Sequence, residues 1–173
     1  MQRIISLTVL NRPGVLNRIT NLFSKRNYNI ESISVGHSEQ QGISRITCVL
    51  EVEHDRVMEQ ITKQLNKQID VIKVIDLSEQ SIVARELALI KVSAAPETRN
   101  EIYSLIEPFR ATVVDVSMES ISIQITGETS KIEAFIELIQ PYGIKELART
   151  GTTAFPRGLQ KSNSQTKSNF SIV

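Results

Sequence analysis

Apolar and polar residues alternate along residues 3–10, with Ile5, Leu7 and Val9 on one side and Ser6 and Thr8 on the other. A period of two predicts a strand with one buried face. The period then changes. Val15, Leu16, Ile19, Leu22 and Phe23 recur at helical spacing and predict an amphipathic helix. Lys25 and Arg26 occupy its last turn, where cations suit the dipole, and Asn27 tolerates the left-handed backbone that stops a helix. Residues 28–36 read as a second strand and the polar stretch 36–42 as a loop. Residues 45–53 read as a third strand, with Ile46, Cys48, Leu50 and Val52 on one side. Asp55 is the expected cap of a second helix showing Val57, Met58, Ile61 and Leu65, and residues 71–77 make a fourth strand. The order βαββαβ predicts a ferredoxin-like sandwich of one sheet and two helices.

The same order recurs after a short polar break at residues 78–81. A strand (85–92), a helix (97–109, with Ile102, Leu105, Ile106 and Phe109 inward) and a strand (112–116) are followed by a clean alternation of Ile121, Ile123 and Ile125. A helix over 129–140 carries Ile132, Phe135, Ile136 and Ile139, and residues 144–149 suit a last strand. The fold class expected is therefore α+β, two tandem ferredoxin-like units. The first spans 1–77, a linker 78–84, and the second 85–158. Residues 151–158 read as extended or irregular. Residues 159–173, rich in Ser, Asn, Gln and Lys, bury too little surface to order themselves and read as a frayed tail.

The two strand-to-helix junctions differ. The first is Asn11, Arg12, Pro13, Gly14; the second is Ser93, Ala94, Ala95, Pro96, without a glycine. Pro13 suits the first turn of a helix, and Gly14 lets a ligand or a backbone approach closely. The free N–H groups of a helix start form a small anion site that fits a carboxylate. A plain capped turn accounts for the same four residues, so the choice between the two readings rests on the rest of the chain.

Composition narrows the choice. The chain has 173 residues, a formal net charge of +1 and 40% hydrophobic residues, so no strong field draws it to nucleic acid or lipid. Cys48 is the single cysteine, which excludes an internal disulfide, and its apolar alternating run makes it a core residue. No secretory leader pattern and no apolar run near the ~20 residues of a membrane span occurs, so a cytoplasmic location is expected.

Catalytic chemistry is missing. His37 lies in a polar loop and His54 begins a helix, and neither has metal-ligand spacing around it. Glycine-rich phosphate loops and the nucleophile elbow are absent. An RNA-binding domain of this topology stacks bases on aromatics of its central strands, whereas these strands present Ile33, Val35, Ile46 and Cys48. A metallochaperone needs paired cysteines after the first strand. An acylphosphatase needs glycine-rich surroundings for an arginine at the place of Arg12. The sheet has exposed edges, and the second strand, with Ser32 and Ser34 opposite Ile33 and Val35, suits symmetric pairing of two copies.

These residues resemble a family. Val9, Leu10, Asn11, Arg12, Pro13, Gly14, Val15 and Leu16, then Ile19, Leu22 and Phe23, then Tyr28, Asn29, Ile30, Glu31 and Ser32 look like an ACT domain. More narrowly they are similar to the small regulatory subunits of acetolactate (acetohydroxyacid) synthase. The likeness runs on through Arg45, Ile46 and Thr47, Asp70 and Val71, the segment from Arg85 to Val92, Asp115, Phe135, and Ala148 to Gly151, ending at Arg157 and Gly158.

The resemblance implies a non-catalytic subunit that binds a large catalytic subunit, raises its activity and confers feedback inhibition by valine, leucine or isoleucine. It implies a homodimer through ACT domains with the effector at their interface. Carried over by position, the effector residues are Asn11, Pro13, Gly14, Val15 and Leu16 from one chain and Asn29 and Ile30 from the other. No cofactor or metal is expected in this chain; thiamine diphosphate, magnesium and FAD belong to the catalytic partner. Two departures stand out: Asn27 replaces a common glycine, and Pro156 interrupts the terminal segment. The alternative is a free-standing amino-acid sensor, or a regulator of another biosynthetic enzyme, with no acetolactate synthase partner.

Overall fold

The computed structural model describes residues 1–158. The first sheet is built from β1 (Gln2–Leu10), β2 (Asn29–His37), β3 (Ile43–Glu51) and β4 (Val71–Asp76), with α1 (Val15–Ser24) and α2 (Asp55–Leu65) on one face. Its strand order is β2-β3-β1-β4, antiparallel throughout. The period of two explains the core: Ile5, Leu7 and Val9 of β1 and Ile46, Cys48 and Leu50 of β3 face the helices. Val15, Ile19 and Phe23 of α1 and Met58, Ile61 and Leu65 of α2 meet them. Ten of these twelve side chains are no more than 2% exposed, which at ~1.5–3 kcal/mol each makes their burial the main stabilising term.

Two local expectations change. Pro13 precedes α1, and Gly14, at φ 82°, occupies its N-cap. Asp55 is the first helical residue of α2 and His54 its cap. The Asp55 carboxylate instead accepts a hydrogen bond from the guanidinium of Arg3, whose side chain is 9% exposed. Asn27, as expected, stops α1 in the left-handed region at φ 57°.

The second unit repeats the architecture with β5 (Ile82–Ser93), α3 (Arg99–Ile106), β6 (Thr112–Val116), β7 (Ser120–Gly127), α4 (Thr129–Ile139) and β8 (Ile144–Arg149), in the order β6-β7-β5-β8. Ala88, Ile90, Ile121, Ile123 and Ile125 pack on Ile102, Ile132, Phe135 and Ile139. The helix expected over 97–109 is shorter, because Glu107 ends it and Arg110 turns the chain left-handed at φ 51°.

β5 starts inside the stretch expected as linker. Its first residues, Ile82 to Arg85, pair with β9 (Thr153–Pro156), which lies in the segment expected to be extended or irregular. Pro156 is the terminal residue of this edge strand, a position where a missing N–H is tolerated. The predicted tail, residues 159–173, lies outside the described residues.

Candidate functional site

The junction after β1 is held by its backbone. Leu10 N–H donates to the Asp70 carbonyl at 2.9 Å, Asn11 N–H to the Gly42 carbonyl at 2.8 Å, and Arg12 N–H to the Leu10 carbonyl at 3.0 Å. Val15 N–H is spent on the Arg12 carbonyl at 3.3 Å. Among the described residues, Gly14, Leu16 and Asn17 are left with N–H groups open to a ligand. Among the described residues no side chain caps α1 and no acidic residue stands in its first turn, so they leave the positive end of the helix dipole uncompensated.

Gly14 is required here for two reasons. Its φ of +82° disfavours any side chain, and a Cβ would lie 3.0 Å from Nη1 of Arg18. That arginine donates through Nη2 to the carboxylate of Asp70, which is 5% exposed. Asp70 thus ties both flanks of the junction: its carbonyl takes Leu10 and its carboxylate takes Arg18. Sequence reasoning missed the pair. Arg18 is one helical turn from Gly14, but nothing in spacing assigns its partner 52 residues away.

The seven candidate effector residues fall into two groups. Asn11, Pro13, Gly14 and Leu16 are exposed together around the junction. Val15 is 4% exposed and belongs to the core, so it offers no side chain to a ligand. Asn29 and Ile30 stand at the start of β2, where Asn29 pairs with Glu51 of β3. The junction lies at the other end of the sheet, beside the pair Leu10 and Ile43. Asn29 Nδ2 donates to its near neighbour Glu31, and Ile30 packs against the core. Asn11 has a different neighbour, His37 at the end of β2, with Asn11 Nδ2 and His37 Nδ1 3.4 Å apart.

A second concavity, of about 710 Å³, opens between the two units. Ile4, Ser32 and Val49 line it from the first sheet, and Glu86, Thr129 and Arg149 from the second unit. Glu86 is 6% exposed and is satisfied by Arg149 Nε at 2.6 Å and the Thr129 hydroxyl at 3.2 Å. Gly151, at φ +75°, and Thr152 lie against Ser32, whose Oγ accepts from Thr152 N–H at 3.4 Å. Among the described residues no group of acidic, histidine and cysteine side chains is arranged to hold a metal, and no helix is long and apolar enough to cross a membrane.

A βαββαβ unit with a glycine-centred junction after its first strand is the architecture of an ACT domain. The family description "AHAS small subunit-like ACT domain" matches residues 5–73. A second, "Small subunit of acetolactate synthase", matches residues 85–158. The chain is 68% identical over 173 residues to the acetolactate synthase small subunit of Bacillus subtilis, covering 100% of both chains. It is 53% identical over 156 residues to a probable acetolactate synthase small subunit of Methanothermobacter thermautotrophicus, covering 90% of this chain and 92% of that one. The crystal structure of the Thermotoga maritima acetolactate synthase small subunit superposes with a TM-score of 0.85 at 42% identity, covering 92% of this chain and 99% of that one. The chain belongs to the family of acetolactate synthase small subunits.

Proposed function

We propose that this chain is the regulatory subunit of an acetolactate synthase, which activates the catalytic subunit and confers feedback inhibition by valine bound between two ACT domains. The observation that carries the reading is the junction itself: open N–H groups around a left-handed Gly14, beside Asn11, at a helix start with no compensating charge. These donors suit the carboxylate of an amino acid. Leu16, 43% exposed, offers apolar surface to an aliphatic side chain.

Asn29 and Ile30 complete the site from a second copy. β2 is an edge strand of nine residues, and among the described residues its outer backbone is unpaired. Antiparallel pairing of two β2 edges runs their directions opposite, so the start of one lies against the end of the other. The partner's Asn29 then stands near this chain's junction. Ligand and dimer geometry are linked, and valine shifts the pairing through a coupling free energy of ~1–3 kcal/mol.

The first unit, ending at β4, carries effector binding and dimerisation. The second, beginning at β5, engages the catalytic subunit; its junction at Ser93, Ala94, Ala95 and Pro96 lacks the glycine. Thiamine diphosphate, magnesium and FAD are assigned to the catalytic partner. A thermal-shift screen of the twenty amino acids, followed by reconstitution with the large subunit, tests the reading. Valine, leucine or isoleucine should raise the melting temperature, and the same amino acid should inhibit the reconstituted enzyme. If no branched-chain amino acid did either, the function assigned here would be wrong.

A further inference from the structure

We propose that His37 is a positioning residue of the effector site: it orients the amide of Asn11 toward the ligand's ammonium. The inference rests on the effector reading above. Asn11 Nδ2 lies 3.4 Å from His37 Nδ1. An amide nitrogen donates and does not accept, so Nδ1 is the acceptor and the ring proton sits on Nε2. With Nδ2 held, Oδ1 is the free end of the amide, and it accepts from an ammonium.

The position of His37 in the fold supports the role. It ends β2 and pairs with Ser44, which also pairs with Val9 two residues before Asn11. In a symmetric antiparallel pair of strands, facing residues share a side of the sheet, so the centre falls on a residue facing itself. The fullest overlap of two strands Asn29–His37 centres on Ile33. It brings the end of one β2, with Gly36 and His37, beside the start of the other, with the partner's Asn29 and Ile30. A Cβ at Gly36 would meet nothing within 4 Å, so this point of the edge has open space for a ligand and a facing side chain. His37 is then where the two halves of the site meet.

The test is calorimetric titration of the full chain with L-valine at about pH 8. His37→Ala should bind about tenfold more weakly than the wild type, the size of one hydrogen bond to a charged group. His37→Asn supplies an amide oxygen near the place of Nδ1 and should restore affinity to within about threefold. His54→Asn, at the cap of α2, should bind like the wild type. His37 is exposed, so these variants are expected to melt like the wild type. Wild-type affinity in His37→Ala, or no rescue by His37→Asn, would overturn the inference and leave the effector reading standing. A wild type that bound no branched-chain amino acid would overturn the effector reading itself.

Discussion

Asn11 and Asn29 stand at opposite ends of the first sheet. Asn11 follows Leu10, which pairs with Ile43, whereas Asn29 pairs with Glu51 at the far end of β3. At ~3.4 Å per residue the strand separates them by about 25 Å, several times the length of an amino acid. One ligand reaches both only if two chains supply them. The proposed effector site can therefore include both residues only as a site shared between copies.

Gly14→Asp is the direct test of the junction. Aspartate at φ +82° is strained by ~1–2 kcal/mol, and its Cβ would press on Arg18 Nη1 at 3.0 Å. Its carboxylate would occupy the place offered to the effector and repel the effector's own. Valine inhibition of the reconstituted synthase should weaken by more than about tenfold while activation persists. Normal inhibition would remove Gly14 from the site.

For Asn29→Ala the expectation is weaker valine binding, by about tenfold, with an unchanged fold. The side chain is exposed and, among the described residues, bonds only to Glu31, so the monomer loses little. Calorimetry with valine measures the effect. Equal affinity in variant and wild type would end its candidacy.

The contact between the two units is testable at Gly151. Its φ of +75° and a Cβ placed 3.0 Å from the Ser32 Cβ both oppose a side chain. Gly151→Ala should cost about 2 kcal/mol in chemical denaturation. In a Ser32→Gly background the same substitution should cost measurably less, because only the backbone strain remains. A neutral Gly151→Ala would mean that the units do not meet there.

Burial pushes the Cys48 thiol up from 9.0 to about 12. The folded chain keeps a proton that the unfolded chain releases first. This contribution is fully present below about pH 9 and is lost as pH rises toward 12, at up to ~1.4 kcal/mol per pH unit. Cys48→Ala, although destabilised by its cavity, should lose less stability over that alkaline range. The native thiol should also resist a thiol reagent at pH 8 until denaturant is added. Rapid labelling without denaturant would show that the thiol is not shielded.

Regular elements were legible in the sequence because each buries one face. Alternation marked Ile5, Leu7 and Val9, and helical spacing marked Val15, Ile19 and Phe23. Features that depend on a distant partner were not. Asp55 was expected to cap α2, yet Arg3, 52 residues away, takes its carboxylate. Residues 82–84 read as linker because three residues show no decisive period; their pairing with β9 makes them strand. His37 read as a loop histidine, and only the course of β2 brings it to Asn11, 26 residues earlier in the chain.

By itself, the sequence determined the order of elements from β1 to β8, the two similar units and the special character of Gly14. All of these depend on local pattern and residue type. Only the tertiary structure decided that Asn11 and Asn29 lie a sheet's length apart, that Asp70 ties both flanks of the junction, and that His37 stands beside Asn11. These follow from strand register and edge position, which are set by contacts between residues far apart in the chain and leave no local trace in it.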